Sequence, residues 1–218
     1  MQTLIETELI EFEGCILRVL PPQPTKRLMV LIHGYTGDEN SMWVFAQGLS
    51  AHYGMIAPRA PHSVETGGYS WRPLLLSDFG KPTLDQLRVP AEKLIHLIDA
   101  YQASTGVDAS TFDVMGFSQG AVMCNVLLFL YPERIQKAGV LAGFIPAGLE
   151  TLSSDHALEG KQIFVAHGTR DETVTIDRAR ESVDVLEQAG AGVTYCEDEV
   201  GHKVSVRCLT ALKNYFIS

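Results

Sequence analysis

The sequence predicts an α/β chain, with a mostly parallel sheet carrying helices on both faces. Three observations lead there. Short apolar runs, Leu28-Met29-Val30-Leu31-Ile32 foremost, fit strands buried on both sides. Segments with helical spacing of apolar residues separate these runs, so strand and helix alternate. Only the first two strands break the alternation, and they form an antiparallel, hairpin-like edge. The 218 residues suit a single domain spanning 1–218, and no compositional shift, repeat or low-complexity tract divides them.

Each element has its own signal. Residues 9–12 and 15–20 read as strands joined by a turn at Glu13-Gly14. Pro21, Pro22 and Pro24 end the pair in a surface loop. The strand over 27–32 stops at His33-Gly34. A helix is expected over 41–51 and a short strand over 55–58. The segment 61–82 is irregular, with Gly67-Gly68 and several aromatics, and long loops in compact domains are often functional. A helix over 90–104 places Leu94, Ile95, Ile98 and Tyr101 on one face, with Pro90 suited to its first turn. A strand over 111–117 leads into a helix over 119–130 that stops near Pro132. Strands over 137–144 and 161–166 follow. A helix over 176–189 is closed by Gly190, the last strand covers 193–196, and a final helix covers 203–216 with Val204, Cys208, Leu212 and Tyr215 on one face.

Composition narrows the function. Apolar residues make up 46% and charged residues 20%, as in ordinary globular proteins. The net charge of −9 repels phosphate backbones and anionic lipid heads, which argues against nucleic-acid and membrane partners. The longest apolar run, 126–131, cannot span a bilayer. Residues 1–14 carry Glu6, Glu8, Glu11 and Glu13 and have neither the basic nor the apolar region of a signal peptide. Cys15, Cys124, Cys196 and Cys208 form no CxxC pair and no Cys/His cluster. Four reduced thiols and a cytoplasmic address are therefore expected.

The chemistry begins at Gly116-Phe117-Ser118-Gln119-Gly120, a G-x-S-x-G match lying between an apolar strand and a helix. That setting lifts a serine hydroxyl clear of the sheet on a sharp turn, and the flanking glycines let strand and helix approach closely. The Gln119 N–H, at the start of the helix, is placed to bind a developing oxyanion. A serine needs a base, and the base needs a carboxylate to fix its tautomer. Of seven histidines, His202 is the best candidate, since it follows Gly201 between the last strand and the last helix. Strand carboxyl ends in such sheets share one crevice. The acid is expected between serine and histidine in chain order. Asp171 fits, in the loop after the 161–166 strand, with Glu172 as its competitor. A second oxyanion donor is expected from His33-Gly34-Tyr35-Thr36-Gly37, with Tyr35 N–H chosen and Thr36 in reserve. His33 is read as structural, hydrogen-bonded beneath that loop.

Leu31-Ile32-His33-Gly34, the G-F-S-Q-G pentapeptide, His167-Gly168-Thr169-x-Asp171-x-x-Val174 and Gly201-His202 occur in that order. Together they resemble the α/β-hydrolase superfamily, and within it the phospholipase/carboxylesterase family that includes acyl-protein thioesterases. The resemblance runs from about residue 28 to the C-terminus. It implies the α/β-hydrolase fold without a large cap domain. It implies a triad of Ser118, Asp171 and His202, with Tyr35 and Gln119 N–H groups as the oxyanion hole, and neither metal nor cofactor. The expected substrate is a small-molecule ester with a small or medium acyl group. Acyl thioesters, lysophospholipids and a non-catalytic binding module on the same fold are the alternatives. Tyr69, Trp71 and Leu74 are expected to line the substrate pocket, in the region where the match to the family departs. Oligomeric state, monomer or homodimer, is not readable.

Overall fold

The computed structural model describes residues 6–21, 26–73, 80–152 and 156–218. Its centre is an eight-stranded sheet. In chain order the elements are β1 (Glu8–Phe12), β2 (Cys15–Leu20), β3 (Arg27–Ile32), α1 (Trp43–Ala46), β4 (Tyr53–Pro58), β5 (His62–Ser63), β6 (Tyr69–Ser70), α2 (Leu84–Thr105), β7 (Phe112–Phe117), α3 (Gln119–Leu130), β8 (Ile135–Leu141), β9 (Gln162–Gly168), α4 (Ile176–Gln188), β10 (Gly192–Asp198) and α5 (Val206–Ile217). The strand order is β1-β2-β4-β3-β7-β8-β9-β10, while β5 and β6 form a separate small hairpin. The pairs from β4 through β10 are parallel. At the other edge β1 pairs antiparallel with β2, and β2 antiparallel with β4. This is the α/β-hydrolase architecture expected, with its antiparallel N-terminal edge. The tight turn at Glu13-Gly14 has φ of 50° and 70°, the conformation of a two-residue hairpin loop.

The sheet is apolar on both faces because successive strand residues point to opposite sides. Leu28, Val30 and Ile32 pack with α2 and α3 in one cluster. Met29 and Leu31 pack with Met42, Ala46 and the α5 residues Cys208, Leu212 and Phe216 in the other. The same division separates Val114 from Met115 and Val165 from Phe164. This two-sided burial explains why these strands read as continuous apolar runs. At the amino end of the sheet, buried Asp113 pairs with Arg27, accepts from Tyr53 Oη at 2.6 Å and from the Lys137 N–H at 2.9 Å. That network joins β3, β4, β7 and β8 at the end away from the site described below. Among the described residues no helix is long and apolar enough to cross a membrane.

Four local expectations are corrected. The helix expected over 41–51 shrinks to Trp43–Ala46. Gln47 turns to extended backbone, Gly48 takes φ +84°, and the segment holds itself with four-residue turns such as Leu49 N–H to Ala46 O. The helix expected from Pro90 starts six residues earlier, at Leu84, behind a Thr83/Gln86 capping box. Pro90 then lies inside the helix and is buried. The irregular 61–82 stretch contains the β5–β6 hairpin. Finally, Cys196 and Cys208 are joined in a disulfide, not two of four reduced thiols. The bond links β10 to α5 and so encloses the segment that carries His202. Cys15 and Cys124 are free.

Candidate active site

Parallel strands bring their carboxyl ends to one rim. The loops after β3, β7, β9 and β10 all leave from that rim, and each carries one of the candidate groups. The turn after β7 is the tightest. Ser118 has φ 52° and ψ −117°, a left-handed conformation that costs a non-glycine residue energy and persists only where the surroundings enforce it. Here they do. The Ser118 N–H donates to the Leu141 carbonyl at 2.8 Å, and the Ser118 carbonyl accepts from the Val122 N–H at 3.1 Å. The glycines of the motif are steric requirements. A Cβ on Gly116 would fall 2.2 Å from the Gly120 carbonyl oxygen, and one on Gly120 would fall 2.0 Å from the Ile32 carbonyl oxygen.

The loops after β9 and β10 are tied to each other. Thr169 N–H donates to the Asp198 carbonyl at 2.8 Å and Arg170 N–H to the Val200 carbonyl at 3.0 Å, extending the strand pairing beyond the sheet. Gly168 allows this contact, because a Cβ there would lie 2.3 Å from both the Val200 and Gly201 carbonyl oxygens. The result places His202 Nε2 2.9 Å from Ser118 Oγ, and His202 Nδ1 2.7 Å from Asp171 Oδ2. Asp171 is an acceptor, so the proton sits on Nδ1 and Nε2 can receive one from the serine. The other carboxylate oxygen, Oδ1, accepts from the Thr173 and Val174 N–H groups, both at 2.9 Å. The Asp171 side chain is fully buried, whereas Glu172 is exposed and makes no contact with His202. The Phe117 ring lies 5.0 Å from the His202 ring, and Phe45 stacks on Phe117 at 5.6 Å.

The loop after β3 is held from two sides. The Ala60 N–H donates to His33 Nε2 at 3.0 Å, which puts the proton on Nδ1, and Nδ1 donates to the Gly34 carbonyl at 2.7 Å. His33 is therefore a strut beneath the loop. Thr36 N–H donates to the Tyr69 carbonyl at 3.0 Å, so the reserve oxyanion donor is already engaged. The Gln119 side chain reaches across: its Oε1 accepts from the Trp71 N–H at 3.0 Å and its Nε2 donates to Ser70 Oγ at 3.0 Å. The residue after the serine thus fastens the β6 segment that in turn grips the β3 loop.

Ser118 and His202 open on a cavity of about 210 Å³ that Tyr35 and Gln119 also line. Tyr69 and Trp71 are not on its wall. Trp71 is 2% exposed and donates its indole N–H to the His33 carbonyl at 2.8 Å. Both border a larger cavity, about 540 Å³, between α2 and the β1–β2 turn, which contains none of Ser118, Asp171 and His202. Leu74 lies outside the described residues. Sequence reading missed Arg72, Phe144 and Arg178, which also line the smaller cavity. No spacing in the sequence marks them. Among the described residues no group of three His, Cys, Asp or Glu side chains could hold a metal ion.

The two histidines beneath the site give a stability prediction. Burial lowers the proton affinity of both His33 and His167 below the ordinary histidine value of 6.5. His167 Nε2 donates to the Val174 carbonyl at 2.8 Å, and its buried Nδ1 has no hydrogen-bond partner among the described residues, so a second proton would find no acceptor among them. The unfolded chain takes up those protons near 6.5 and the folded chain resists them, so acid favours unfolding. This contribution is full above 6.5 and is lost as pH falls through the lowered folded values. Scanning calorimetry should show Tm falling between about pH 7 and pH 5. A Tm that stays flat or rises over that window contradicts the reading.

The chain is similar to known proteins over most of its length. A probable carboxylesterase, SOBER1-like, of Arabidopsis thaliana is 25% identical over 185 residues, covering 81% of this chain and 66% of that protein. Acyl-protein thioesterase 1 of Debaryomyces hansenii is 27% identical over 188 residues, covering 77% of this chain and 79% of that one. The crystal structure of the Bacillus cereus carboxylesterase superposes with a TM-score of 0.83 at 21% identity, over 94% of each chain, a likeness of fold. The phospholipase/carboxylesterase family model matches residues 16–218, and the chain belongs to that family.

Proposed function

We propose that this protein is a serine carboxylesterase acting on small or medium acyl esters through Ser118, His202 and Asp171. The observation that carries the reading is the unbroken hydrogen-bond chain Asp171–His202–Ser118, at 2.7 and 2.9 Å, ending on a serine held in a strained turn beside a cavity. In the first step His202 Nε2 takes the Ser118 proton as Oγ attacks the ester carbonyl. The oxyanion is bound by the Tyr35 and Gln119 N–H groups, and the imidazolium that forms is stabilised by Asp171. Collapse of this intermediate expels the alcohol, which takes the proton from His202. Water, deprotonated by the same imidazole, then attacks the acyl-serine, and the acid leaves.

A cavity of about 210 Å³ is below the usual range for drug-sized ligands, which favours a compact acyl group. The name of the Debaryomyces relative favours a thioester as second reading, since the same steps cleave either bond. A panel of 4-nitrophenyl esters of rising acyl length, with an acyl thioester beside it, tests both. The expected result is hydrolysis that peaks at short or medium chains and Ser118 labelled by a fluorophosphonate. No hydrolysis and no label would leave a binding module on the same fold. The Cys196–Cys208 bond weighs against the cytoplasmic address expected from the sequence, because reducing compartments keep such pairs open.

A further inference from the structure

Arg178 stands in the first turn of α4, on the wall of the cavity that contains Ser118 and His202. Its guanidinium carbon lies 3.4 Å from the centroid of the Phe144 ring, so the group is stacked on the ring face. Nη1 donates to the Gly80 carbonyl at 3.1 Å. No carboxylate among the described residues pairs with it. Arg27, Arg59, Arg134, Arg170, Arg180 and Arg207 each hold one. Burial disfavours the charge on Arg178, and Glu181 offsets this only in part.

A half-buried guanidinium without a carboxylate is costly, and the fold could have avoided it by turning the side chain to solvent. Its stack on Phe144 and its bond to Gly80 instead fix the fork at the cavity wall, leaving most of its N–H donors unused by the described residues. A planar fork of this kind matches a carboxylate in two parallel hydrogen bonds. Arg72 also lines the cavity but has partners of its own, so the argument rests on Arg178. With a net charge of −9 the chain as a whole does not attract anions, so this is a local device.

We propose that Arg178 anchors a carboxylate of the substrate, so that the preferred substrates are esters carrying a carboxylate on the acyl or the alcohol side. This deepens the esterase reading and rests on it. The test compares kcat/KM for matched pairs. One arm sets 4-nitrophenyl glutarate against 4-nitrophenyl hexanoate, with the charge on the acyl side. The other sets 4-acetoxybenzoate against phenyl acetate, with the charge on the alcohol side. The wild type should prefer the charged member of one pair by about tenfold or more, and the arm in which it does so identifies the side. Arg178→Gln should reduce that preference by about 10- to 100-fold, mostly through KM, as expected for loss of hydrogen bonds to a charged group. Arg178→Lys should retain part of it, since it keeps the charge and loses the fork.

Cleavage of the neutral esters with no preference in either arm overturns this proposal alone. So does an equal loss on charged and neutral esters in Arg178→Gln, which would make the arginine a scaffold for the Gly80 and Phe144 segments. Failure to cleave any of the four esters overturns the esterase reading, and this proposal with it.

Discussion

Replacing Ser118 with alanine should lower ester turnover by roughly 10⁴–10⁶-fold while the protein stays folded. The loss is large because both halves of the proposed cycle pass through the acyl-serine, whose bond Ser118 Oγ forms in the first half and releases in the second. Alanine leaves the oxyanion donors and the cavity in place, so a small residual rate and substrate binding should remain. The fold has little reason to respond. The turn is enforced by the Leu141 and Val122 backbone bonds, by the Gly116–Gly120 contact and by the Gly120–Ile32 contact, none of which uses the serine side chain. What the fold loses is one hydrogen bond to a partly exposed imidazole. Removing a polar group held for chemistry often leaves stability unchanged or slightly raised. The measurement is kcat on a 4-nitrophenyl ester beside circular dichroism and Tm. Near-normal turnover in a folded variant would remove Ser118 from the mechanism.

The sequence made the catalytic candidates legible because each sits in a short contiguous signal with a fixed steric meaning. Gly116-Phe117-Ser118-Gln119-Gly120 demands a sharp turn between strand and helix, and the structure has β7, the turn and α3 in that order. Asp171 was readable from a loop following a buried strand, and His202 from a Gly-His before the last helix. Their convergence needs no long-range sequence signal, since parallel strands deliver their carboxyl ends to the same rim. What the sequence hid depends on tertiary approach. Arg178 meets Phe144 only because the start of α4 lies against the loop after β8, and no spacing encodes that. Trp71 looked like a pocket residue because aromatics in a long loop can face either way; its N–H found the His33 carbonyl and the ring was buried. The pairing of Cys196 with Cys208 brings β10 against α5, and connectivity of this kind cannot be deduced from sequence. In 41–51 a helix was expected, but the chain leaves the helix at Gln47, which is extended, and Gly48 follows at φ +84°.

The Asp171→Asn variant separates a structural aspartate from one that sets the tautomer of the base. The two carboxylate oxygens have different tasks. Oδ1 accepts from the Thr173 and Val174 N–H groups, and Oδ2 accepts from His202 Nδ1. An asparagine has one acceptor and one donor end. Two backbone donors converge where Oδ1 lies, so the amide oxygen must take that position, and the NH₂ is left facing the imidazole. It donates to Nδ1, which drives the histidine proton to Nε2. Nε2–H then points at Ser118 Oγ and cannot receive its proton. His167 Nε2–H lies 3.4 Å from Oδ2 and disfavours an NH₂ there, but this one long contact is outweighed by the two backbone donors at 2.9 Å on the other side. Turnover should therefore fall by about 10⁴-fold with the loop geometry retained. Glu172→Gln, changing the exposed neighbour, should leave turnover within about twofold, since surface substitutions away from such contacts have small effects. The opposite pattern, loss in Glu172→Gln and near-normal rates in Asp171→Asn, would assign the acid to the neighbouring position. An unchanged rate in both would mean that His202 keeps its reactive tautomer without any carboxylate behind it.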